Sequence, residues 1–508
     1  MFKLYLFFFI SFIIILSFKS NDGFPRSMND GSFFPYLVDK PLTEDGFYMM
    51  TVAWNIAEGN GIKYNLNRPT TGIQPLVTFI QAGVAKIVLL FGGDKIMFLR
   101  VMILFSALLI FIFSLAAGSI VQKLIPSLYS QVIVIILVLF NFDLLESFTN
   151  GLETGFYLLM IAVCVNYSFR FIDDPNYKSA FIFGLLAGVT TLTRIDFLLP
   201  LLFYLIILFL FRKINPVKLV LILLVAVVIL LPWLLYVYDV SGSIFPSSVS
   251  AQTKIIGSIS FIERLSRIVE ALLVHLSPFV YSHNVFISAA AVAVNGFIFY
   301  YLLKHFNLFK AIDKPSFINL LCWGISFFLL ALTYFAYSEA LHFYIRYLTS
   351  FYLFIILFTI SCLLFILHKI PSFYSKLSLP FFILFFFLQS FYYLFNGKVS
   401  SHLVIRIAYI QNNFSETDRI GLFQSGVTGF FLENVINLDG KVDHVLHSYA
   451  AQNKFEEFLD SMQVNVIIEW KKDFNVSVDE NYFSKNWKIF DEDIGDGTTS
   501  CFIRKEEY

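Results

Sequence analysis

The chain has 508 residues, of which 58% are hydrophobic and only 14% are charged, and its mean hydropathy is +0.74. Soluble proteins average about 25% charged residues, so this composition excludes an ordinary soluble enzyme and indicates a polytopic membrane protein. The 36 basic residues balance 36 acidic ones, which gives no indication of nucleic-acid binding. The spacing of the four cysteines matches neither a disulfide framework nor a metal site.

Apolar runs long enough to cross a membrane recur throughout residues 1–396. The first is longer than the apolar part of a signal peptide, and no clean cleavage site follows it, so we interpret it as an uncleaved span. The runs lie near 2–18, 96–121, 131–148, 155–171, 179–193, 197–211, 217–236, 286–303, 317–336, 347–367 and 378–395. The sequence therefore predicts about 11 membrane-spanning helices.

The loops between these runs predict their orientation, because lysine and arginine are enriched on the cytoplasmic side. After 96–121, alternate loops carry "QKLIPSLYS", "RFIDDPNYK", "RKINPVK", "KHFNLFKAIDK" and "HKIPSFYSK". With a cytoplasmic N-terminus, these five loops are cytoplasmic only if the ambiguous apolar stretch 75–91 does not cross the membrane. We therefore predict that 75–91 lies in the membrane interface, with Gln81 and Lys86 in polar surroundings. This orientation predicts external loops at 19–95 and 237–285.

Residues 397–508 differ from the rest in composition. Short apolar runs, "RIGLF", "NVINL", "VNVIIEW" and "CFIRK", alternate with the helical patterns "HLVIRIAYIQNN" and "AAQNKFEEFLDSM". Such alternation is typical of a small α/β domain. We predict that this C-terminal domain lies on the external side of the membrane.

The predicted topology also collects most of the unusual polar residues on the external side, where ionisable groups near a membrane usually mark a functional site. A carboxylate can deprotonate an incoming hydroxyl, and arginine or lysine can hold a phosphate on a lipid tail. Together these groups suit glycosyl transfer from a lipid-phosphate sugar. The polar set comprises Glu44, Asp45, Thr71, Gln74, Glu153, Arg194, Asp196, Lys254, His342 and Arg346.

Six segments in chain order resemble motifs of bacterial GT-C fold glycosyltransferases, and together they cover nearly the whole chain. They are "EDGFYMMTVAWNIAEGNGI" with "PTTGIQPL", then "TNGLETGFY", "LTRIDFLL", "SGSIFPSSVSAQTK", "HFYIRYLTSFY" and "RIGLFQSGVTGFFLENVINLDGKVD". Within this superfamily the chain most resembles the mycobacterial terminal arabinofuranosyltransferases, and more distantly the lipid A aminoarabinose transferases and protein O-mannosyltransferases. The resemblance implies an all-α polytopic membrane protein of GT-C fold with a small external α/β domain.

The resemblance also implies roles for the polar set. The acidic pair of the first loop would carry the catalytic carboxylate, which leaves Glu44 and Asp45 as alternatives. Donor phosphate would be bound by Arg346, Lys254 and His342. The substrate cavity would be lined by Glu153, Arg194, Asp196, Thr71 and Gln74.

Simpler structural roles fit some of the same residues. Glu44 and Asp45 suit the first turn of a helix that begins after Thr43 as N-cap. Arg194 and Asp196 could simply form an ion pair with each other at the membrane edge and have no role in a substrate cavity.

We therefore predict an integral-membrane glycosyltransferase. The predicted reaction moves a sugar from a polyprenyl-phosphate donor to an acceptor hydroxyl on the external face of the membrane.

 The predicted location is a bacterial plasma or inner membrane, with the N-terminus cytoplasmic and the C-terminal domain external. The acceptor could be a cell-wall polysaccharide, a lipid-linked glycan or a protein. The sequence indicates no cofactor and no metal-ligand spacing, although Glu44, Asp45 and Glu153 could share a divalent cation with the donor phosphate.

Two other classes of function fit a polytopic membrane protein. A transporter or flippase of a lipid-linked glycan would typically show internal symmetry and broken spans with ionisable residues near the middle of the membrane. Here the polar residues cluster at span ends, and no internal repeat is visible. A membrane-anchored binding or assembly protein would use its spans as anchors only, which the six ordered motifs argue against.

Overall fold

The computed structural model of the chain is mostly helical, with one small sheet near the C-terminus. It describes residues 42–64, 68–126, 131, 134–135, 137–138, 141–246, 260–276, 285–306, 313–338, 344–369, 384, 388, 402–450, 452, 454–470 and 485–505. Within these ranges, five helices are long and apolar enough to cross a membrane. The protein is therefore an integral membrane protein, as its composition predicts.

The five long helices match five of the predicted spans. They are α3 (Lys95–Leu124), α5 (Thr154–Asp173), α8 (Pro216–Ser241), α11 (Lys314–Tyr337) and α12 (Tyr344–Lys369). In α12 the apolar span is Tyr344–Cys362. At 1.5 Å per residue, the 30 residues of α3 extend about 45 Å, more than the roughly 30 Å of a hydrocarbon core.

The N-terminal part contains seven further α-helices within the described residues. They are α1 (Glu44–Glu58), α2 (Pro75–Leu90), α4 (Phe142–Thr149), α6 (Tyr177–Thr193), α7 (Leu198–Leu210), α9 (Phe261–Leu276) and α10 (Val285–Phe306). The predicted span 2–18, half of the residues 131–140 of the predicted span 131–148, and nearly all of the predicted span 378–395 lie outside the described residues. The total of about 11 spans therefore stays a prediction.

The ambiguous stretch 75–91 forms α2, which packs along α1. Its 16 residues extend about 24 Å, which is short for a perpendicular crossing. The Gln81 amide donates to the Gly151 carbonyl at 3.3 Å, and the Lys86 ammonium donates to the Ala57 carbonyl at 3.0 Å. Both polar side chains thus bond to neighbouring backbone, while the position of α2 relative to the bilayer stays a prediction.

The C-terminal part contains a five-stranded sheet with the order β2-β1-β3-β5-β4. The strands are β1 (Ile420–Leu422), β2 (Val435–Asn437), β3 (Val466–Trp470), β4 (Trp487–Asp491) and β5 (Thr499–Arg504). Strands β2, β1 and β3 are parallel, whereas β5 is antiparallel to both β3 and β4. Four of these strands correspond to the four predicted apolar runs. The predicted domain boundary at 397 falls outside the described residues.

Four helices accompany this sheet: α13 (His402–Asn413), α14 (Gly426–Phe431), α15 (His444–Ala450) and α16 (Phe455–Ser461). Helix α14 is the element that packs against α1. The rings of Phe47 and Phe430 meet edge to face at 5.4 Å between centroids, and Met50, Trp54 and Val427 are buried in the same cluster. This apolar contact joins the sheet to the N-terminal turn of α1, which carries the acidic pair.

Candidate functional site

The first turn of α1 is fastened to the turn that precedes α5. Thr43 occupies the N-cap position, but its hydroxyl does not cap the helix. The backbone N–H and the hydroxyl of Thr43 instead donate to the Asn150 carbonyl, at 3.0 and 3.1 Å. A Cβ on Gly46 would lie 2.4 Å from the same carbonyl oxygen, so only glycine fits there without displacement. The acidic pair is therefore held beside the segment that carries Glu153.

Glu44 turns toward the C-terminal sheet. Its carboxylate accepts hydrogen bonds from the backbone N–H groups of Gly426, at 2.5 Å, and Val427, at 2.9 Å, at the start of α14. Burial raises the pKa of Glu44 to about 7, although these two hydrogen bonds act to lower it. This geometry gives Glu44 a role in docking α14 against α1.

Asp45 turns the other way, into a group of cations. The Lys441 ammonium lies 3.0 Å from Asp45 Oδ1, and Arg346 Nη1 lies 3.9 Å from Asp45 Oδ2. Lys441 follows β2 in the C-terminal part, whereas Arg346 belongs to the first turn of α12. The adjacent members of the acidic pair thus have different surroundings, which the sequence did not distinguish.

Glu153 is the most buried carboxylate of this region, with its side chain 2% exposed. Arg346 Nη2 donates to both of its oxygens at 2.8 Å, and Arg194 Nη1 lies 3.6 Å from Oε1. Burial alone would raise the pKa of Glu153, but the two guanidinium groups hold it below its ordinary value. Glu153 precedes α5 at the N-cap position without capping it through its side chain, so its main partners are the two arginines.

Arg194 and Asp196 pair with each other at 2.7 Å and also belong to the larger group. The Tyr334 hydroxyl donates to Asp196 and accepts from Arg194 Nη2 at 3.1 Å. Because Arg194 also approaches Glu153, the Arg194–Asp196 pair is continuous with the cluster around Asp45. The isolated pair considered from the sequence is therefore only part of the arrangement.

Together these side chains form one chain of alternating charges, which we call the charge cluster. It connects six groups contributed by separate elements: Lys441, Asp45, Arg346, Glu153, Arg194 and Asp196. Lys441 and Asp45 are 396 positions apart in the sequence. Such a cluster offers a carboxylate able to accept a proton next to cations able to hold an anionic group.

Of the remaining residues predicted for the site, two are described and two lie outside the described part. Thr71 is buried in the segment leading into α2, and Gln74 directly precedes that helix. The Tyr236 hydroxyl of α8 donates to the neighbouring Thr70 carbonyl at 3.1 Å. Lys254 and His342 lie outside the described residues, so their predicted role in binding phosphate stays a prediction.

Sequence reasoning missed three polar groups beside Asp45. Lys441 and Asp439 lie in the quoted segment "NLDGKVD", but nothing in the sequence indicated that this turn reaches the first loop. The Tyr48 hydroxyl donates to Asp439 Oδ2 at 3.0 Å, and the Lys441 ammonium lies 3.5 Å from the same oxygen. Tyr48 lies one helical turn after Asp45, at a spacing of three residues that could have suggested a shared face.

The carboxylates differ in their engagement, which bears on the predicted divalent cation. Glu44 faces α14, Asp45 faces Lys441, and Glu153 faces two arginines. Among the residues that the structure describes, no group of three or more potential metal ligands is found. The three carboxylates therefore do not converge on one point, and a shared cation stays a prediction.

No family model and no curated protein matches the chain. Among solved structures, it is similar to ArnT from Cupriavidus metallidurans bound to undecaprenyl phosphate, with a TM-score of 0.60 at 9% identity over 98% of this chain and 97% of that one. Looser similarity extends to an oligosaccharyltransferase of Archaeoglobus fulgidus tethered with an acceptor peptide, with a TM-score of 0.49 at 10% identity over 99% of this chain and 74% of the other. The similarity to ArnT extends over both the helical part and the C-terminal sheet. The chain therefore has the GT-C fold that its sequence motifs predicted.

Proposed function

We propose that this protein is an integral-membrane glycosyltransferase that moves a sugar from a polyprenyl-phosphate donor to an acceptor hydroxyl. The observation that carries the proposal is the position of Asp45, a carboxylate held between Lys441 and Arg346 at the junction of α1, α12 and the C-terminal sheet. The GT-C fold and the apolar helices support a lipid-borne donor. ArnT itself binds undecaprenyl phosphate, which makes this lipid phosphate a suitable first probe.

In the proposed reaction Asp45 acts as general base. It takes the proton of the acceptor hydroxyl while the acceptor oxygen forms a bond to the anomeric carbon of the sugar. The bond between that carbon and the phosphate oxygen breaks, and the polyprenyl phosphate departs with one additional negative charge. Cations beside the phosphate stabilise this charge as it develops.

Arg346 is the proposed cation for the donor phosphate within α12. Its guanidinium is oriented by Glu153, whose two oxygens both accept from Nη2. A guanidinium fixed by a carboxylate loses less conformational freedom when it binds a second anion. Glu153 therefore acts as a positioning residue for Arg346, and Arg194 and Asp196 extend the same support.

The two members of the acidic pair receive different roles in this proposal. The Glu44 carboxylate accepts from two backbone N–H groups of α14, so it is engaged in docking. Asp45 is 24% exposed at its side chain and adjoins both cations, so it can meet an acceptor and a phosphate together. We assign the base to Asp45 and the docking contact to Glu44.

The proposed location is a bacterial plasma or inner membrane, with the charge cluster on the external side. A donor carried by a polyprenyl lipid is the form of activated sugar available there, because sugar nucleotides are cytoplasmic. The acceptor belongs to the cell envelope and carries the hydroxyl that Asp45 deprotonates. Both assignments depend on the predicted orientation.

The test is a transfer assay in membranes, with a panel of polyprenyl-phosphate sugars labelled in the sugar. Wild-type protein should release polyprenyl phosphate and move label to an envelope acceptor. Asp45→Asn should lower the rate by about 10² to 10⁴, the usual contribution of a general base. Asp460→Asn is the matched control, because Asp460 is an exposed partner of Arg504.

Two results would contradict the proposal. One is transfer by Asp45→Asn at the wild-type rate. The other is movement of the intact lipid-linked sugar across the membrane with no transfer, which would indicate a flippase.

A further inference from the structure

The turn that follows β2 brings a lysine of the C-terminal part into the charge cluster. Gly440 adopts φ of +73°, which glycine adopts readily, and its N–H donates to Asn437 Oδ1 at 3.0 Å. The Lys441 N–H donates to Asp439 Oδ1 at 2.8 Å. These local bonds define the path of the turn and direct Lys441 toward α1.

The Lys441 ammonium lies among acceptors that come from both parts of the chain. It is 3.0 Å from Asp45 Oδ1, 3.5 Å from Asp439 Oδ2 and 5.6 Å from the centre of the Tyr48 ring. The side chain is 32% exposed, so a ligand entering the cluster can reach it. Burial would lower the pKa of Lys441, but Asp439 and Asp45 raise it, so the ammonium stays charged at neutral pH.

Charge moves through this position during the reaction proposed above. Asp45 passes from negative to neutral when it accepts the acceptor proton, while the departing phosphate gains one negative charge. A cation between the two groups therefore keeps an anionic partner throughout. Lys441 suits this task, because an ammonium on a flexible four-carbon stem can exchange acceptors.

Arg346 is less suited to the same exchange. Its guanidinium is oriented by both oxygens of Glu153 and lies 3.9 Å from Asp45, against 3.0 Å for Lys441. The two cations therefore divide the task, with Arg346 oriented by Glu153 and Lys441 able to exchange acceptors.

We propose that Lys441 is a donor-phosphate ligand, so that the C-terminal domain completes the transferase site. This inference rests on the proposed function, since it assigns a second cation to the same phosphate. It also gives the domain a direct part in binding donor. Two contacts hold the domain against α1 for this purpose: Glu44 accepts hydrogen bonds from α14, and the Tyr48 hydroxyl donates to Asp439.

The experiment measures binding of two lipids to the purified full chain in detergent. Undecaprenyl phosphate carries the anion, and undecaprenol is the same lipid without it. Lys441→Ala should weaken the binding of undecaprenyl phosphate about ten- to a hundredfold, the range for a hydrogen bond to a charged group. It should leave the affinity for undecaprenol unchanged. Lys454→Ala is the matched control, because Lys454 is an exposed lysine paired with Glu457 in the same domain.

Chemical rescue provides a second, independent readout. Lys441→Cys followed by alkylation with 2-bromoethylammonium restores an ammonium at nearly the original distance. The four native cysteines are buried, so the introduced one is the accessible target. We expect alkylation to restore at least a tenth of the lost affinity for undecaprenyl phosphate.

Three outcomes would overturn the inference. They are wild-type affinity of Lys441→Ala for undecaprenyl phosphate, an equal loss of affinity for both lipids, and failure of the alkylated variant to recover. The binding result is independent of turnover. A catalytically silent protein that showed it would refute the proposed reaction and leave Lys441 as a phosphate ligand, whereas active protein without it would refute Lys441 alone.

Discussion

The pair formed by Glu153 and Arg346 gives a prediction whose size follows from burial. Glu153→Ala removes a 2% exposed carboxylate and leaves Arg346 and Arg194 facing each other without it. Breaking a buried pair from one side costs about 3–5 kcal/mol. Because the Arg346 side chain is 26% exposed, solvent screens part of the loss, and we expect about 3 kcal/mol.

The assay is a double-mutant cycle of Glu153→Gln and Arg346→Gln, read as the free energy of unfolding in detergent. We expect a coupling energy of about 2 kcal/mol. The matched cycle uses Arg267 and Glu270, which pair at 2.9 Å on the exposed side of α9 and should couple by less than about 1 kcal/mol. Equal coupling energies in the two cycles would refute the reasoning that the Glu153 pair is a structural centre of the site.

Three further predictions concern docking and topology. Folding raises the pKa of Glu44 from 4.5 to about 7, so the contribution of Glu44 to stability should fall as pH rises from 4.5 to 7. Glu44→Gln should therefore abolish this fall in the midpoint of thermal unfolding with pH. An unchanged dependence of the midpoint on pH would contradict the prediction. Gly426→Ala places a Cβ 2.2 Å from the Glu44 carbonyl oxygen and should lower the midpoint of thermal unfolding. Gly83→Ala is the control and should not lower it, because no atom lies within 4 Å of the added Cβ. Equal midpoints for the two variants would contradict this prediction. A cysteine introduced at 122–130 should resist an impermeant maleimide applied from outside the cell, and labelling there would reverse the predicted orientation.

The fold was predictable because its signals are local. A run of apolar residues marks a span by length alone, so the prediction of 96–121 comes close to the observed helix Lys95–Leu124. The strands of the C-terminal sheet were visible where most of their residues are buried, as in Val466–Trp470, which has four of its five residues buried. Strand Trp487–Asp491 was missed because three of its five residues are exposed and two carry charge.

The site was predictable only in part, because its geometry depends on contacts between distant segments. Charge and motif identified Asp45, Glu153, Arg194 and Arg346, which the structure brings together. Lys441, the partner of Asp45 from the C-terminal part, reaches it only because α14 docks on α1. No periodicity in the sequence encodes that docking. For the same reason the sequence could not separate Glu44 from Asp45.

The most direct measurement compares transfer rates of Asp45→Asn and Glu44→Gln in the same membranes, with the same labelled polyprenyl-phosphate sugar. If Asp45 is the base, Asp45→Asn loses about 10² to 10⁴ in rate, while Glu44→Gln, which keeps one of the two acceptors of the docking contact, stays within about tenfold of wild type. The reverse order, with Glu44→Gln inactive and Asp45→Asn active, would contradict the assignment of the base to Asp45.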